Sequence, residues 1–469
     1  MKKTKIVCSI GPVSESIEML ESLTQVGMDV ARINFSHATV KERKMIADNV
    51  RKVRKSTGAN IAIMWDTKGP EFRTGTFKNG FVQLKDGQTV RIVKNNVVGN
   101  EERFSVNHPE ALDNIEIGNT VFLENALMRL EVIDKSDIDI TCRIIAGGIL
   151  GDNKSISVPG VKLNIPYISK EDKKDIEWAC DNGGEFIAIS FVSCADDVLE
   201  VRKLLKKYDR EDMQIISKIE NGLGVTNIEE ILEVSDGVMI ARGDLGCEVA
   251  NEQLPIIQKT IIKACREMGK IAIVATEMLE SMMNSIRPKR AETSDIANAV
   301  IDGVDAVMLS GETTIGKYPV EAVRTMADIC ETTEEYVTFD YIDDNAKVGA
   351  ISNAISENLV ESANRLDAKL ICVATLTGRT AKQISNLKPQ ALILALCPDE
   401  DTCHSLALNW GVYTDILPKC KNTDEVLKNS LDKCKKFVKL KKRDVILISG
   451  NSPYYGADKS TNFIKIQEM

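Results

Sequence analysis

The chain has 469 residues, which at ~150 residues per domain makes about three domains. Hydrophobic residues at 43% and charged ones at 28% supply real cores and exclude disorder, collagen-like repetition or a coiled-coil rod as the main architecture. A net charge of −9 argues against a general nucleic-acid or anionic-membrane binder, while leaving room for local basic pockets that take small phosphates.

The start, residues 1–12, is basic, but its apolar run is too short for a signal peptide, and no segment approaches the ~20 apolar residues of a membrane span. Twelve scattered cysteines contain no Cys-x-x-Cys pair, and the only histidines are His37, His108 and His404. Structural zinc and thioredoxin-type chemistry are poorly supported by such a set. The expectation is a reduced, soluble, cytoplasmic protein with neither nucleic acid nor membrane as a partner.

Apolar runs rich in Val and Ile recur at 6–9, 30–35, 61–65, 186–191, 214–219, 237–241, 271–275 and 306–309. They are hydrophobic throughout rather than alternating, as expected of parallel strands buried on both faces. Charged amphipathic stretches such as 39–56 and 195–208 lie between them. Eight such units predict a (β/α)8 barrel over 1–69 and 167–340. Between 70 and 166 the helical period gives way to short alternating strands punctuated by Gly and Asn, which predicts a small β-barrel domain inserted after the third barrel strand. From 341 to 469 a third, α/β unit is expected, with a helix over 348–363 and strands at 370–374, 391–396 and 444–449.

In such a barrel the chemistry sits at the C-terminal ends of the strands. Those ends read Ser9-Ile-Gly-Pro12, Arg32-Ile-Asn-Phe-Ser-His37, Asp66-Thr-Lys-Gly-Pro-Glu-Phe-Arg-Thr74, Ser217-Lys-Ile-Glu-Asn221, Ala241-Arg-Gly-Asp-Leu-Gly246, Ala275-Thr-Glu277 and Leu309-Ser-Gly-Glu312. Any one polar loop start means little; several converging on one mouth predict an active site there. Glu220 and Asp244, on adjacent ends, suit Mg2+, a hard and partly hydrated ion. The plainer reading pairs Glu220 with Lys218, two residues away on the same strand face, and the two readings are compatible. Arg32, Arg73 and Lys154 offer cations for a phosphorylated substrate. The glycine-flexed amides of residues 242–246 make an anion site before a helix.

At this point the residues resemble the pyruvate kinase family, across essentially the whole chain. The resemblance is carried by Ala31-Arg-Ile-Asn-Phe-Ser-His37, Asp66-Thr-Lys-Gly-Pro-Glu-Phe-Arg-Thr-Gly75, Ile215-Ile-Ser-Lys-Ile-Glu-Asn221, Val238-Met-Ile-Ala-Arg-Gly-Asp-Leu-Gly246, Ala275-Thr-Glu-Met-Leu-Glu-Ser-Met282, Arg287-Pro-Lys-Arg-Ala-Glu292 and Met308-Leu-Ser-Gly-Glu-Thr313. Three departures stand beside it: Gly222-Leu223 after Glu220-Asn221, Glu277 where glutamine is commoner, and Cys247 where an aliphatic residue is usual. None removes a ligand or the key lysine.

The resemblance implies phosphoryl transfer from phosphoenolpyruvate to ADP, giving pyruvate and ATP, in glycolysis. It implies that Glu220 and Asp244 hold Mg2+ (or Mn2+), that a second Mg2+ arrives with ADP, and that Lys218 stabilises the charge on the transferring group. Arg32 and Arg73 would grip phosphate, Gly243 and Thr276 the substrate, and Asn34, His37, Arg73 and Lys154 the nucleotide. Thr276, with Ser310 further along, would take part in the proton path. Asn34, Ser36, Asp66 and Thr67 resemble the family's K+ site, and Glu71, flanked by Thr67, Lys68 and Thr74, matches the K+-requiring pattern. Thr375, Thr377, Gly378, Arg379 and Thr380 resemble the family's effector phosphate loop, and residues 452–461, with Lys459, the loop that closes over it. A homotetramer activated by a phosphorylated metabolite, a sugar phosphate or AMP, completes what the resemblance implies.

Two other readings compete. A phosphoenolpyruvate- or pyruvate-handling lyase would use Lys218 as a Schiff-base nucleophile or anchor, leaving the inserted domain unexplained. A catalytically silent metabolite sensor would have no use for intact Lys218, Glu220, Asp244 and Thr276.

Overall fold

The Val- and Ile-rich runs form eight parallel strands: Lys5–Ser9, Val30–Asn34, Ala62–Asp66, Phe186–Ile189, Gln214–Ile219, Gly237–Ala241, Ile271–Ala275 and Ala306–Leu309. They hydrogen-bond in chain order, and the first closes on the last through Lys5↔Ala306, completing the barrel. The computed structural model describes residues 1–339, 350–451 and 461–469. The expected helix start at 348 and the loop over 452–460 with Lys459 lie outside those residues.

Burial on both faces explains the unbroken apolar strands. Inward side chains (Val7, Val30, Met64, Phe186, Ile216, Met239, Met308) fill the barrel, and outward ones pack against the helices. Local chemistry places those helices. Thr39 and Glu42 form a capping box before Val40–Thr57, and Gly58 ends that helix in the left-handed region at φ 68°. Ser169 and Asp172 do the same for Lys170–Asp181, the first helix after the insertion.

The insertion after the third strand is antiparallel apart from one parallel pair, as a six-stranded and a two-stranded sheet over one core. The expected small β-barrel is met as these two sheets with isolated bridges such as Arg73↔Ser155, because only Met128–Lys135 and Asp139–Ala146 reach eight residues and the other six strands, of two to five, do not sustain a closed ladder. The C-terminal unit is a five-stranded sheet in the order Val412–Ile416, Leu392–Cys397, Leu370–Ala374, Val445–Gly450, Phe463–Glu468, the last antiparallel.

This unit seals the N-terminal end of the barrel. Ala407 and Leu408 join the barrel's interior cluster beside Ile216 and Ala306. Around them Lys382 donates to Gln214 at 2.6 Å, Gln214 donates to the Ser405 carbonyl at 2.7 Å, and Lys388 forms a buried ion pair with Asp305. The opposite end stays open to the insertion. Among the described residues no helix is long and apolar enough to cross a membrane.

Candidate active site

Five barrel-strand ends, the first to the fifth, converge on one charge cluster. Arg32, at the end of the second strand, donates from Nε to Asp66 Oδ2 at 2.5 Å and from Nη1 to the Ser9 hydroxyl at 2.6 Å. Lys218 lies 2.9 Å from Glu220 Oε1, 3.2 Å from Asp66 Oδ1 and 2.8 Å from the Ser190 hydroxyl. Glu220 Oε2 accepts from the Phe191 amide at 2.7 Å, where the backbone turns to φ 57°. Each of Arg32, Asp66, Lys218 and Glu220 is buried. Buried charges persist only when paired, and here two cations meet two carboxylates.

Their titration follows from that geometry. Burial alone would push the Asp66 carboxyl up, but Arg32 and Lys218 hold it below its usual range. Burial alone would lower Lys218, yet Asp66 and Glu220 raise it above an ordinary lysine. Burial, with added repulsion from Asp244, outweighs Lys218 and pushes Glu220 up to about 7.

The sixth and seventh strands add a second layer. Thr276 sits at φ 69°, its hydroxyl accepting from the Gly243 amide at 2.8 Å and donating to the Ala275 carbonyl at 2.6 Å. Arg242 holds the Thr276 carbonyl at 2.7 Å and pairs with Asp295 at 2.6 Å. A β-branched residue in the left-handed region is strained, and here neighbours on both sides hold it. Ser310 follows the eighth strand, and its amide donates to Glu312, which also accepts from Leu279 at 3.0 Å.

Glu220 and exposed Asp244 face a cleft of about 570 Å³ whose other wall is the insertion, including Arg73 and Lys154. Arg73 is held bidentately by Glu71 at 2.7 and 2.8 Å, and Lys154 pairs with Glu124 at 2.6 Å. Both lysine and arginine thus sit across the cleft from the charge cluster rather than within it. Glu71 pairs with the arginine two residues on. Among the described residues no group of three or more His, Cys, Asp or Glu side chains could hold a metal. The two carboxylates fit Mg2+ all the same, since that ion takes one or two protein carboxylates and fills its shell with water and substrate oxygens.

Asn34 and Asp66 are paired in register on neighbouring strands, and Asn34 Oδ1 accepts from the Ser36 amide at 2.8 Å. With the Ser36 hydroxyl and Thr67 they make an all-oxygen donor set with one carboxylate, which fits a monovalent hard cation. His37 is exposed beside them.

A family model described as "Pyruvate kinase, barrel domain" matches residues 1–323, and one described as "Pyruvate kinase, alpha/beta domain" matches 353–467. The chain belongs to the pyruvate kinase family. It is 44% identical to a pyruvate kinase of Geobacillus stearothermophilus and 43% identical to one of Staphylococcus saprophyticus, in each case over 99% of this chain and 80% of the relative. A crystal structure of a pyruvate kinase from Cryptosporidium parvum superposes with a TM-score of 0.94 at 36% identity, covering 100% of this chain and 96% of that one. The chain is accordingly an enzyme, a phosphotransferase.

Within a pyruvate kinase framework, the motifs place Ser9 at a strand end without giving it a role, and they omit Ser190 and the Phe191 amide. Ser190 directly follows the fourth barrel strand, a position whose alignment with the other strand ends was the available signal. In the C-terminal unit, Gly378 adopts φ 77° and donates to the Thr375 hydroxyl at 3.0 Å; a Cβ there would lie 3.0 Å from Leu406. The helix Arg379–Asn386 starts immediately after it, with Thr377 and Arg379 exposed and the Thr380 hydroxyl 2.5 Å from that of Thr461.

Proposed function

We propose that the chain transfers the phosphoryl group of phosphoenolpyruvate to ADP, releasing pyruvate and ATP as in glycolysis. The observation that carries this reading is the placement of Lys218, buried and ion-paired to Asp66 at 3.2 Å and Glu220 at 2.9 Å, a setting that favours its ammonium form. A fixed cation at the cleft floor suits phosphoryl transfer, where positioning and charge neutralisation supply most of the catalysis. It does not suit the lyase reading, because a Schiff base needs the free amine.

In this reading Arg32, held by Asp66 and Ser9, binds the phosphoryl oxygens. Lys218 offsets the charge that spreads onto the enol oxygen as the bond to phosphorus breaks. Glu220 and Asp244 would hold the Mg2+, which supplies neutralisation of substrate oxygens when bound. Arg73 and Lys154 come from the insertion, with Asn34 and His37 on the barrel side of the nucleotide. The enol oxygen keeps the electron pair of the broken bond, and C3 takes a proton by way of water at Thr276. Asn34, Ser36, Asp66 and Thr67 would hold K+. The same reading includes Ser310 on the proton path, a homotetramer and activation through residues 375–380.

The test is ADP-dependent pyruvate formation from phosphoenolpyruvate, followed by a coupled assay with Mg2+ and K+ at millimolar substrate. Turnover is the expected result. No turnover, together with a borohydride-trapped pyruvate adduct on Lys218, would establish the lyase instead.

A further inference from the structure

Arg43 has no part in the chemistry above, yet its guanidinium is almost fully used. It lies in the second turn of Val40–Thr57 and is 3% exposed. Nε donates to the Ala38 carbonyl at 2.8 Å and Nη2 to the Phe35 carbonyl at 2.8 Å. Nη1 donates to Asp175 Oδ1 at 2.6 Å, and the whole group stacks 4.1 Å from the centre of the Phe35 ring. The two carbonyls it grips flank Ser36 and His37. Its partner Asp175 stands on Lys170–Asp181, the first helix after the insertion, whose first turn also binds Lys68 through Glu171 and the Gly69 amide through Asp172.

One rigid fork therefore fixes the loop after the second strand, and one helix fixes that fork together with the loop after the third strand. The oxygen donors Asn34, Ser36, Asp66 and Thr67 come from those same two strand ends. With both flanking carbonyls pinned, the peptide units between them turn less freely, so Arg43 restrains the direction in which Ser36 and His37 point, together with Asn34, which accepts from their amides at 2.8 and 3.3 Å. Lysine cannot replace it, because a single ammonium cannot bond two divergent carbonyls and a carboxylate in one plane.

We propose that Arg43 is a positioning residue for the monovalent-cation and nucleotide side of the active site, acting through the Phe35–Ala38 backbone with Asp175 as its anchor. This rests on the assignment of Asn34, Ser36, Asp66 and Thr67 to K+ and of His37 to the nucleotide. The interaction is made before phosphoryl transfer and does not touch the transferring group. Its loss should therefore raise the concentrations of K+ and ADP needed, and leave turnover at saturation largely alone.

The experiment compares the full chain with Arg43→Lys and with Asp175→Asn, which keeps the guanidinium and removes the charge of its anchor, along with the weaker 3.7 Å pairing of Asp175 with Lys68. Two readouts are taken. One is the thermal midpoint in KCl against tetramethylammonium chloride at equal ionic strength, since a cation that binds only the folded state raises it by mass action. The other is the half-saturating ADP and phosphoenolpyruvate concentrations with kcat. In Arg43→Lys, half-effective K+ should rise about tenfold and half-saturating ADP several-fold, with phosphoenolpyruvate and kcat within about twofold. Asp175→Asn should show the same pattern more weakly. A lowered midpoint with unchanged K+ and ADP constants in both variants would reduce Arg43 to a helix brace and overturn the proposal. If KCl leaves even the unmodified chain's midpoint and activity unmoved, the K+ assignment falls by itself. Arg43 then stands on a raised ADP constant and is overturned by an unchanged one.

Discussion

Lys218 and Glu220 meet at 2.9 Å across two residues of one strand, and the lysine's remaining contacts, Asp66 and Ser190, come from the two strands preceding it in the barrel. An ammonium held by three elements keeps its place without substrate, so its electrostatic work costs no reorganisation during reaction. Lys218→Met should lower kcat by about 10²–10³-fold with little change in half-saturating phosphoenolpyruvate, because the charge acts mainly in the transition state. Steady-state kinetics on folded variant, checked by circular dichroism, decides it; near-normal turnover would remove Lys218 from the proposed role.

Leu408 is fully buried in the N-terminal end of the barrel, packed with Ile216 and Ala306 although it belongs to the C-terminal unit. Truncation leaves a cavity at the junction of two units that cannot both collapse onto it. Leu408→Ala should cost about 2–5 kcal/mol. Urea unfolding followed by tryptophan fluorescence reports this directly, since Trp410 lies on the same interface, 5.0 Å from Lys388 Nζ.

The barrel strands were legible because both faces of a parallel strand are dry, which leaves a run of Val and Ile that no helix or hairpin interrupts. Arg32, Asp66, Lys218 and Glu220 were legible for the converse reason: charge at the end of an apolar run is conspicuous. Ser190 and Ser9 were not, since a hydroxyl is ordinary anywhere and becomes a partner of Lys218 or Arg32 only once the barrel closes. Ala407-Leu408 reads as any short apolar pair, and its insertion into the barrel depends on how two units dock. The bidentate grip of Glu71 on Arg73 is likewise a matter of side-chain direction, not of spacing.

His404 carries the pH dependence most open to measurement. It is buried on the C-terminal unit, its Nδ1 2.5 Å from Asn60 Oδ1 of the barrel. Burial, aided by Arg54, pushes its pKa down from 6.5 to about 4. The folded chain then binds fewer protons here than the unfolded one between those values. Its stability contribution is complete above pH 6.5 and declines as pH falls toward 4, by up to ~1.4 kcal/mol per pH unit. His404→Gln, which keeps a donor for Asn60, should flatten that part of the midpoint-against-pH curve. Superimposable curves for the two proteins would assign the acid sensitivity to other groups.

A side-chain hydrogen bond links the helix after the 375–378 loop to the barrel strand that carries Lys218. Lys382 stands one turn into the helix that begins at Arg379, and its Nζ donates to Gln214 at 2.6 Å. Gln214 opens the strand whose far end carries Lys218 and Glu220. The amides at the helix start, the exposed Thr377 and Arg379, and the Thr375 and Thr380 hydroxyls around Gly378 supply donors suited to a phosphate. A phosphorylated activator bound there acts at a distance, so it biases states and should lower half-saturating phosphoenolpyruvate more than it raises the maximal rate. Alanine at Thr377, Arg379 and Thr380 together should abolish that shift and leave effector-free kinetics near normal. Lys382→Met should leave activator binding intact, measured calorimetrically, and shrink the shift, because it cuts a direct hydrogen bond between the helix and the strand. If fructose bisphosphate, ribose phosphate, glucose phosphate and AMP all leave the saturation curve where it is, residues 375–380 are an ordinary strand–helix turn. If one of them activates and Lys382→Met responds as fully as the unmodified chain, the coupling runs through other contacts between the two units, such as the docked Ala407–Leu408 plug, the Lys388–Asp305 pair or the Lys5–Val412 hydrogen bond.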